Sequence, residues 1–226
     1  MNCLIIDCST QYLICGLYSF EQSQIGHGLE VRIDSKRESS TRLVSEIKSL
    51  LEKTNLPVNM ILCSLGPGSF TGIRIGVTTA RNLAQLWNIP AIGIDTLTLY
   101  GHCVQKYYKM SSKFALMIDG RQNKYYTKVI SQDLFKTHQE EIFDLAFVDY
   151  HSKIGLDYAF VDDQTDLLLL DSTKSIKIEQ IHQEALTAWS FLETALLLRM
   201  NQGVDQSWRT LIPIYVRENP AKPKQR

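Results

Sequence analysis

The 226-residue sequence has no long hydrophobic run and no excess of charge of either sign. No apolar stretch approaches the roughly 20 residues that cross a bilayer, which predicts a chain without a membrane segment. The apolar start after Met1 ends at Asp7, too short for a signal peptide and without its basic charge, so we expect a cytoplasmic protein. Lys and Arg together equal Asp and Glu at 24 each, which argues against a large basic nucleic-acid face.

Cysteine and histidine patterns are also sparse. The five histidines include no His-x-x-x-His spacing, so the sequence predicts no metal site. The five cysteines form no Cys-x-x-Cys pair, and their odd number in apolar surroundings predicts buried, reduced thiols. These cysteines are Cys3, Cys8, Cys15, Cys63 and Cys103.

The most informative stretch is a strand, a tight turn and a helix in the first half of the chain. Residues 60–65 are apolar and predict a buried strand. A structural turn of Gly66, Pro67, Gly68 and Ser69 ends it, because proline lacks a backbone donor and glycine favours positive φ. Apolar residues then recur at helical spacing.

This turn departs from the glycine motifs that bind phosphate or carry a nucleophile. Gly72 is followed by Ile73-Arg74 and not by the Lys-Ser/Thr pair of a phosphate loop. Thr71 stands where a dinucleotide fingerprint needs its third glycine, and Ser69 lacks the flanking glycines of a nucleophile elbow. We therefore expect a geometric role for the turn, with anion binding a distant second.

Small residues recur every fourth position along the predicted helix, at Gly72, Gly76, Ala80 and Ala84. Residues at this spacing share one face, along which another helix can approach closely. Two interpretations stay open for this row. It packs inside its own domain, or it stays bare for a helix of a partner protein, which we favour for the glycines.

Around this stretch the first half alternates strands and helices. A hairpin of two apolar strands spans residues 4–18 and turns after Asp7, and a more polar strand follows at 24–33. Amphipathic spacing predicts a helix over 41–53. A strand at 89–94 and a helix at 96–107 complete this half.

The second half repeats this opening. Apolar residues lead to Asp119, a polar turn follows, and a second strand runs over 124–130, so two aspartate turns stand 112 residues apart. We interpret this as an internal duplication, with coincidence between two hairpins as the alternative. Further strands are predicted at 142–148 and 158–161, an apolar run at 167–170, and a helix over 184–200.

This pattern predicts an α/β protein of two lobes, each with a mixed sheet flanked by helices, in the layout of the duplicated actin-like ATPase/sugar-kinase (ribonuclease H-like) superfamily. We expect lobes at 1–108 and 109–219 and a flexible basic tail at 220–226. The superfamily normally has glycine in the turn after its first aspartate, where this chain has Cys8-Ser9-Thr10. We expect no cofactor. A nucleotide at the lobe junction or a partner interface stays open, with Asp7, Ser9 and Thr10 as vestigial contacts.

Several motifs resemble the TsaB family. The run GPGSFTGIRIG from Gly66, followed by TARNLA, is similar to that family's most recognisable segment. Residues 4–10 resemble its opening strand and turn, and 119–122 its second hairpin. Pro213-Ile214-Tyr215-Val216-Arg217 is similar to its closing Pro-x-Tyr-Leu-Arg.

The resemblance implies a non-catalytic accessory subunit. In that family TsaB is the required scaffold of TsaD, which holds the metal and transfers threonylcarbamoyl to adenosine 37 of tRNAs that read ANN codons, and the ATPase TsaE joins the pair. The chain would then meet tRNA only through the complex. The sequence itself shows no phosphate-binding lysine, metal-ligand pair or catalytic triad that spacing would single out.

The resemblance also implies a partner surface on the first two helices of the first lobe. TsaB proteins use it for TsaD or for a second copy of themselves. The corresponding residues are Leu43, Val44, Ile47, Leu50, Leu51, Gly72, Ile73, Gly76, Thr79, Ala80 and Leu83.

Two other functions compete with the scaffold. An independent ATP-dependent small-molecule kinase of the same superfamily would need glycine in the first aspartate turn. A hydrolase would need Ser9 or Ser69 paired with a base, for which the sequence offers no candidate.

Overall fold

The computed structural model describes residues 1–34, 38–162, 176–202 and 206–217 and contains two five-stranded sheets. The strands are β1 (Asn2–Asp7), β2 (Tyr12–Glu21), β3 (Gln24–Asp34), β4 (Met60–Ser64), β5 (Ala91–Ile94), β6 (Phe114–Asp119), β7 (Lys124–Ile130), β8 (Phe143–Ala146), β9 (Tyr158–Val161) and β10 (Lys177–Gln180). The helices are α1 (Ser39–Thr54), α2 (Phe70–Trp87), α3 (Thr96–Tyr107), α4 (Leu134–Gln139), α5 (Tyr150–Lys153) and α6 (Ala188–Gln202). Short 3-10 turns lie at Phe147–Asp149, Gln183–Ala185 and Trp208–Thr210.

The two sheets have the same topology. The first sheet has the order β3-β2-β1-β4-β5 and the second the order β8-β7-β6-β9-β10. In each sheet three consecutive strands pair antiparallel. A fourth strand pairs in parallel with the first of them, and the fifth pairs in parallel with the fourth. The aspartates Asp7 and Asp119 end the corresponding strands β1 and β6. The predicted duplicated α/β fold is therefore confirmed.

Helices cover both faces of the first sheet. On one face α1 and α2 pack against the sheet through a core that includes Leu43, Ile47 and Val77. On the other face α3 and α6 lie between the two sheets in the larger core. Because both faces are covered, residues 3–7 of β1 are all buried and the strand has a continuous apolar sequence.

The outer face of the second sheet has a smaller cover. Its core gathers Met117, Tyr125, Tyr150 and Val161 under the four-residue helix α5 and the preceding 3-10 turn. No helix among the described residues is long and apolar enough to cross a membrane.

Residues 188–202 and 206–217 return to the first sheet. Helix α6 contacts β1, β2 and β3. Residues 206–217, which we call the C-terminal strap, follow it. The backbone N–H of Ala91 donates to the carbonyl of Gln206 at 2.9 Å, and that of Ile214 donates to Leu65 at 2.7 Å. The lobe boundaries at 108 and 109 stay predictions.

Several predicted bounds shift. The strand predicted from 89 begins at Ala91, and the helix predicted from 184 begins at Ala188 because residues 183–185 form a 3-10 turn. Helix α4 and strand β10 were not predicted from the sequence. The apolar run at 167–170 and the tail at 220–226 lie outside the described residues.

Candidate functional site

The turn between β4 and α2 brings the start of α2 against the first aspartate turn. Its Gly66–Pro67 peptide is cis, and Ser69 is the N-cap of α2, accepting a hydrogen bond from Gly72 N at 3.3 Å. The N–H of Ser69 itself donates to the carbonyl of Ser9 at 2.6 Å. This bond fixes the helix start to the turn between β1 and β2.

Two glycines make this close approach feasible. A Cβ atom on Gly68 would lie 2.0 Å from the Ser9 carbonyl oxygen, and Gly68 has a φ of 153°. A Cβ atom on Gly72 would lie 1.9 Å from the carbonyl oxygen of Cys8. Any side chain at either position would push the helix away from the aspartate turn.

The prediction that the Gly72–Gly76–Ala80 row stays bare for a partner helix is wrong. All three residues are buried within the chain. Cys8 covers both glycines of the row: a Cβ on Gly76 would lie 3.6 Å from the Cβ of Cys8, an ordinary contact distance, and Gly72 faces the Cys8 carbonyl. Packing inside the same domain, the other interpretation of the spacing, therefore accounts for both glycines.

The carboxylate of Asp7 is fully buried and accepts hydrogen bonds from its own chain. The backbone N–H of Ser9 donates to Oδ1 at 2.8 Å, and the hydroxyl of Ser64 donates to the same oxygen. The hydroxyl of Tyr100 donates to Oδ2 at 2.8 Å and lies 3.0 Å from Thr10 Oγ1. Three donors from three elements thus hold this carboxylate.

Burial and the negative charge of Asp7 also shift the pKa values of two groups near this carboxylate. They raise the pKa of the Tyr100 hydroxyl well above its ordinary value, so this hydroxyl stays protonated and donates. Burial, followed by the Asp7 charge, likewise raises the pKa of the Cys8 thiol well above its ordinary value. Neither group has the lowered pKa of an activated nucleophile.

This cluster does not fit a nucleotide phosphate. Asp7, Ser9 and Thr10 lie together, as the sequence predicts, but the carboxylate already accepts three hydrogen bonds. At the start of α2, the Ser69 N–H donates to Ser9 and the Gly72 N–H to the Ser69 side chain. Oxygen atoms of the chain itself therefore occupy donors that a phosphate would use. The vestigial role of these residues stays a prediction.

The second aspartate turn is more open. The N–H of Arg121 donates to Asp119 Oδ1 at 2.8 Å, the same local bond that Ser9 makes to Asp7. Arg217 of the strap holds this turn from outside, donating to the Gly120 carbonyl at 2.7 Å. Its guanidinium also binds both oxygens of Asp144, at 2.6 and 2.7 Å.

A buried ion pair connects the second sheet with the start of α3. Lys128 on β7 donates to Asp95, the N-cap of α3, at 3.0 Å and to Thr98 at 2.8 Å. Burial alone would raise the pKa of Asp95, but His138 at 3.7 Å, the Lys128 charge and Thr98 outweigh it and lower that pKa. This pair is a structural contact between the lobes.

The eleven predicted interface residues divide into two groups. Seven are buried within the chain: Leu43, Ile47, Leu50, Gly72, Ile73, Gly76 and Ala80. The other four reach the surface: Val44 is 64% exposed, while Leu51, Thr79 and Leu83 are half-buried. Only these four have side chains positioned to contact another protein without rearrangement.

Two residues of this surface were missed from the sequence. Ile75 is half-buried, and Leu86 is 76% exposed. Ile75, Thr79 and Leu83 are spaced four apart, so helical spacing could have found a second row beside the glycines. We call the outer face the set Val44, Leu51, Ile75, Thr79, Leu83 and Leu86. Its role as an interface stays a prediction.

Comparison with known proteins adds sequence evidence. The model of the family described as TsaD, tRNA N6-adenosine threonylcarbamoyltransferase, matches residues 33–200. The tRNA threonylcarbamoyladenosine biosynthesis protein TsaB of Haemophilus influenzae is 26% identical over 146 residues, which cover 63% of this chain and 59% of the relative. TsaB of Escherichia coli is 30% identical over 100 residues, covering 43% and 41%. The chain spans about half the length of the curated relatives it matches.

The fold also has a close counterpart among solved structures. YeaZ from Pseudomonas aeruginosa superposes with a TM-score of 0.75 at 17% identity and covers 95% of this chain and 99% of its own. At this identity the likeness shows the fold, and it extends across both sheets.

Proposed function

The chain belongs to the family that the TsaD model describes. From this premise we propose that it is a TsaB-type, non-catalytic subunit that acts in the synthesis of threonylcarbamoyladenosine in tRNA. What it binds is then a partner protein and not a small-molecule substrate. Adenosine 37 of tRNAs that read ANN codons would be modified by its partner.

The observation that carries this proposal is the outer face of α1 and α2. Val44 and Leu86 expose 64% and 76% of their surface on adjacent helices of one layer. Helix α2 carries no acidic residue and no lysine, which is the composition of a helix buried on two sides. Apolar surface of this kind is typical of protein interfaces.

The first aspartate turn supports a binding role and not a chemical one. Its carboxylate is held by Ser9, Ser64 and Tyr100, and two glycines close the turn against α2. A kinase of the same superfamily needs this position for its nucleotide. The geometry therefore favours the scaffold over that alternative.

The partner proposed for the outer face is a TsaD-type subunit. A second copy of this chain would bind through the same face, so the homodimer and the heterodimer would exclude one another. A TsaE-type ATPase would join the pair, and tRNA would be reached through the complex.

Reconstitution tests the function. Purified TsaD and TsaE from the same source would be incubated with unmodified tRNA, ATP and a threonylcarbamoyl donor, with and without this chain. Modified adenosine is then scored by mass spectrometry. We expect modification to depend on the chain, and equal modification in its absence would contradict the proposal.

Two exposed valines provide a matched pair for the interface. Val44→Asp places a charge in the outer face and is expected to weaken the complex with TsaD and to lower modification together. Val148→Asp makes the same change on the second lobe, where Val148 is 87% exposed, and is expected to do neither. If both variants bind TsaD equally well, the outer face is not the interface.

A further inference from the structure

The C-terminal strap runs along α2 and forms one surface with it. Tyr215 meets the helix near its start, where its hydroxyl accepts a hydrogen bond from Arg74 Nε at 3.0 Å. Two turns further along α2, Arg81 donates to the carbonyl of Leu211 at 3.5 Å. The strap thus lies antiparallel to the helix.

Arg74 is held in a fixed orientation on this surface. Its guanidinium carbon lies 3.8 Å from the centre of the Phe70 ring, and the Tyr215 ring packs against Phe70 at 5.3 Å. The bond to Tyr215 uses Nε, so the two terminal nitrogens remain for another acceptor. A guanidinium ordered in this way presents a ready fork for a carboxylate.

Two more arginines accompany it. The guanidinium of Arg209 stacks on the Trp208 ring at 4.5 Å, and Arg81 lies between these two sites along the helix. No carboxylate among the described residues forms an ion pair with any of the three. We call the arginine surface the set Arg74, Arg81, Arg209, Phe70, Trp208 and Tyr215.

Basic residues predominate in this region. Helix α2 and the strap contain four arginines and no lysine, aspartate or glutamate, and Asp205 and Glu218 flank the strap in the sequence. Of the four, Arg217 is already paired with Asp144. This local excess contrasts with the equal numbers of acidic and basic residues in the whole chain.

We propose that the arginine surface binds an acidic segment of a partner protein. This proposal adds a binding surface to the proposed function. It depends on that function only in assuming that the chain has a partner protein. Carboxylates of the segment would pair with Arg74 and Arg209, while exposed apolar residues beside them, such as Ile212 at 61% exposure, would contact its aliphatic side chains.

The arrangement favours a protein over RNA. A guanidinium group lies over one face of Phe70 and over one face of Trp208, so that face of each ring is not free to stack on a base. The exposed apolar residue Ile212 of the strap is also unsuited to a phosphate backbone. Aromatic and arginine side chains beside apolar ones are the typical centre of a protein interface.

A direct binding experiment tests this surface. Fluorescence anisotropy would compare a labelled twelve-residue peptide with glutamate at most positions and leucine at every fourth, the same peptide with glutamine for glutamate, and a single-stranded RNA of twelve nucleotides. We expect saturable binding of the glutamate peptide that weakens with added salt, because exposed charges are screened. The other two probes should bind at least about tenfold more weakly.

Variants assign the binding to Arg74. Arg74→Glu is expected to weaken binding of the glutamate peptide about tenfold or more, and Arg74→Lys to weaken it less, since the charge remains but the planar fork is lost. Lys153→Glu makes the same charge reversal on the exposed helix α5 and should leave binding unchanged. Circular dichroism would verify that each variant is folded.

Three results would overturn the inference: no saturable binding of the glutamate peptide, an unchanged affinity in Arg74→Glu, or tighter binding of the RNA. The outcome is separable from the proposed function. If tRNA modification depends on the chain but the peptide does not bind, only the proposal that the arginine surface binds an acidic segment is wrong. If the peptide binds as expected but modification proceeds without the chain, only the subunit role is wrong.

Discussion

The two aspartate turns share one local hydrogen bond but have opposite surroundings. In each, the residue two after the aspartate donates its N–H to the carboxylate at 2.8 Å. Asp7 is fully buried, whereas the side chain of Asp119 is 20% exposed. The first turn is closed by the glycine-rich start of α2, and the second is held from outside by Arg217 of the strap.

The difference shows how the same hairpin can have two roles after a duplication. In the first sheet the turn is part of the core, and the start of α2 covers it. In the second lobe Arg121, Gln122 and Asn123 all have positive φ and remain exposed. That turn keeps its hairpin through side-chain contacts at the surface.

The largest predicted effect on stability concerns the close approach of α2 to the first aspartate turn, which substitutions at two glycines of the helix would test. Gly72→Ala places a Cβ 1.9 Å from the Cys8 carbonyl, so we expect it to lower the free energy of unfolding by about 3 kcal/mol. Gly76→Ala meets only an ordinary contact at 3.6 Å and gains helix propensity, so its effect should be within about 1 kcal/mol of zero. Urea denaturation measures both, and equal losses would contradict the close approach at Gly72.

Removing the charge of either aspartate should also lower the free energy of unfolding, but by less than Gly72→Ala does. Asp7→Asn replaces one acceptor of a fully buried cluster by a donor that faces other donors, and we expect a loss of about 2 kcal/mol. Asp119→Asn should cost about 0.5 kcal/mol, because water reaches this carboxylate. Thermal unfolding at neutral pH would compare them. A similar loss in both would show that the two turns do not differ in burial.

Chemical labelling of thiols compares the solvent accessibility of the two turns with little change to the protein. Cys8 is 1% exposed and its thiol has a raised pKa, so iodoacetamide at pH 8 should not modify it in the native protein. Asn123→Cys places a thiol in the exposed second turn and should react quickly. Peptide mass spectrometry after a short pulse distinguishes the two sites, with the denatured protein as the control in which both react. Rapid native labelling of Cys8 would mean that the first turn opens.

The sequence predicts the repeated architecture well because its signals are local. Alternation of apolar residues, an aspartate at the end of each first strand and a polar turn indicated both hairpins, and the spacing of Asp7 and Asp119 indicated the duplication. Strand β10 was missed because its sequence, Lys-Ile-Glu-Gln, is short and polar, as is common for an edge strand.

The candidate site was harder to predict because its contacts are distant in sequence. Helical spacing shows that Gly72 and Gly76 share a face, but it cannot show that Cys8 lies opposite them. The same limit applies to Arg74, whose orientation depends on Tyr215. The outer face, in contrast, follows helical spacing in the sequence, so Ile75 and Leu86 could have been included among the predicted interface residues.

The position of α6 has a consequence for how the protein is made. This helix contacts β1, β2 and β3 although it is synthesised more than 150 residues after them. During translation, part of one apolar face of the first sheet therefore stays uncovered until residues 188–202 have left the ribosome. Contacts of such long sequence separation slow folding and prolong the exposure of aggregation-prone surface. A nascent chain that stops before Ala188 would thus be a natural client for a chaperone.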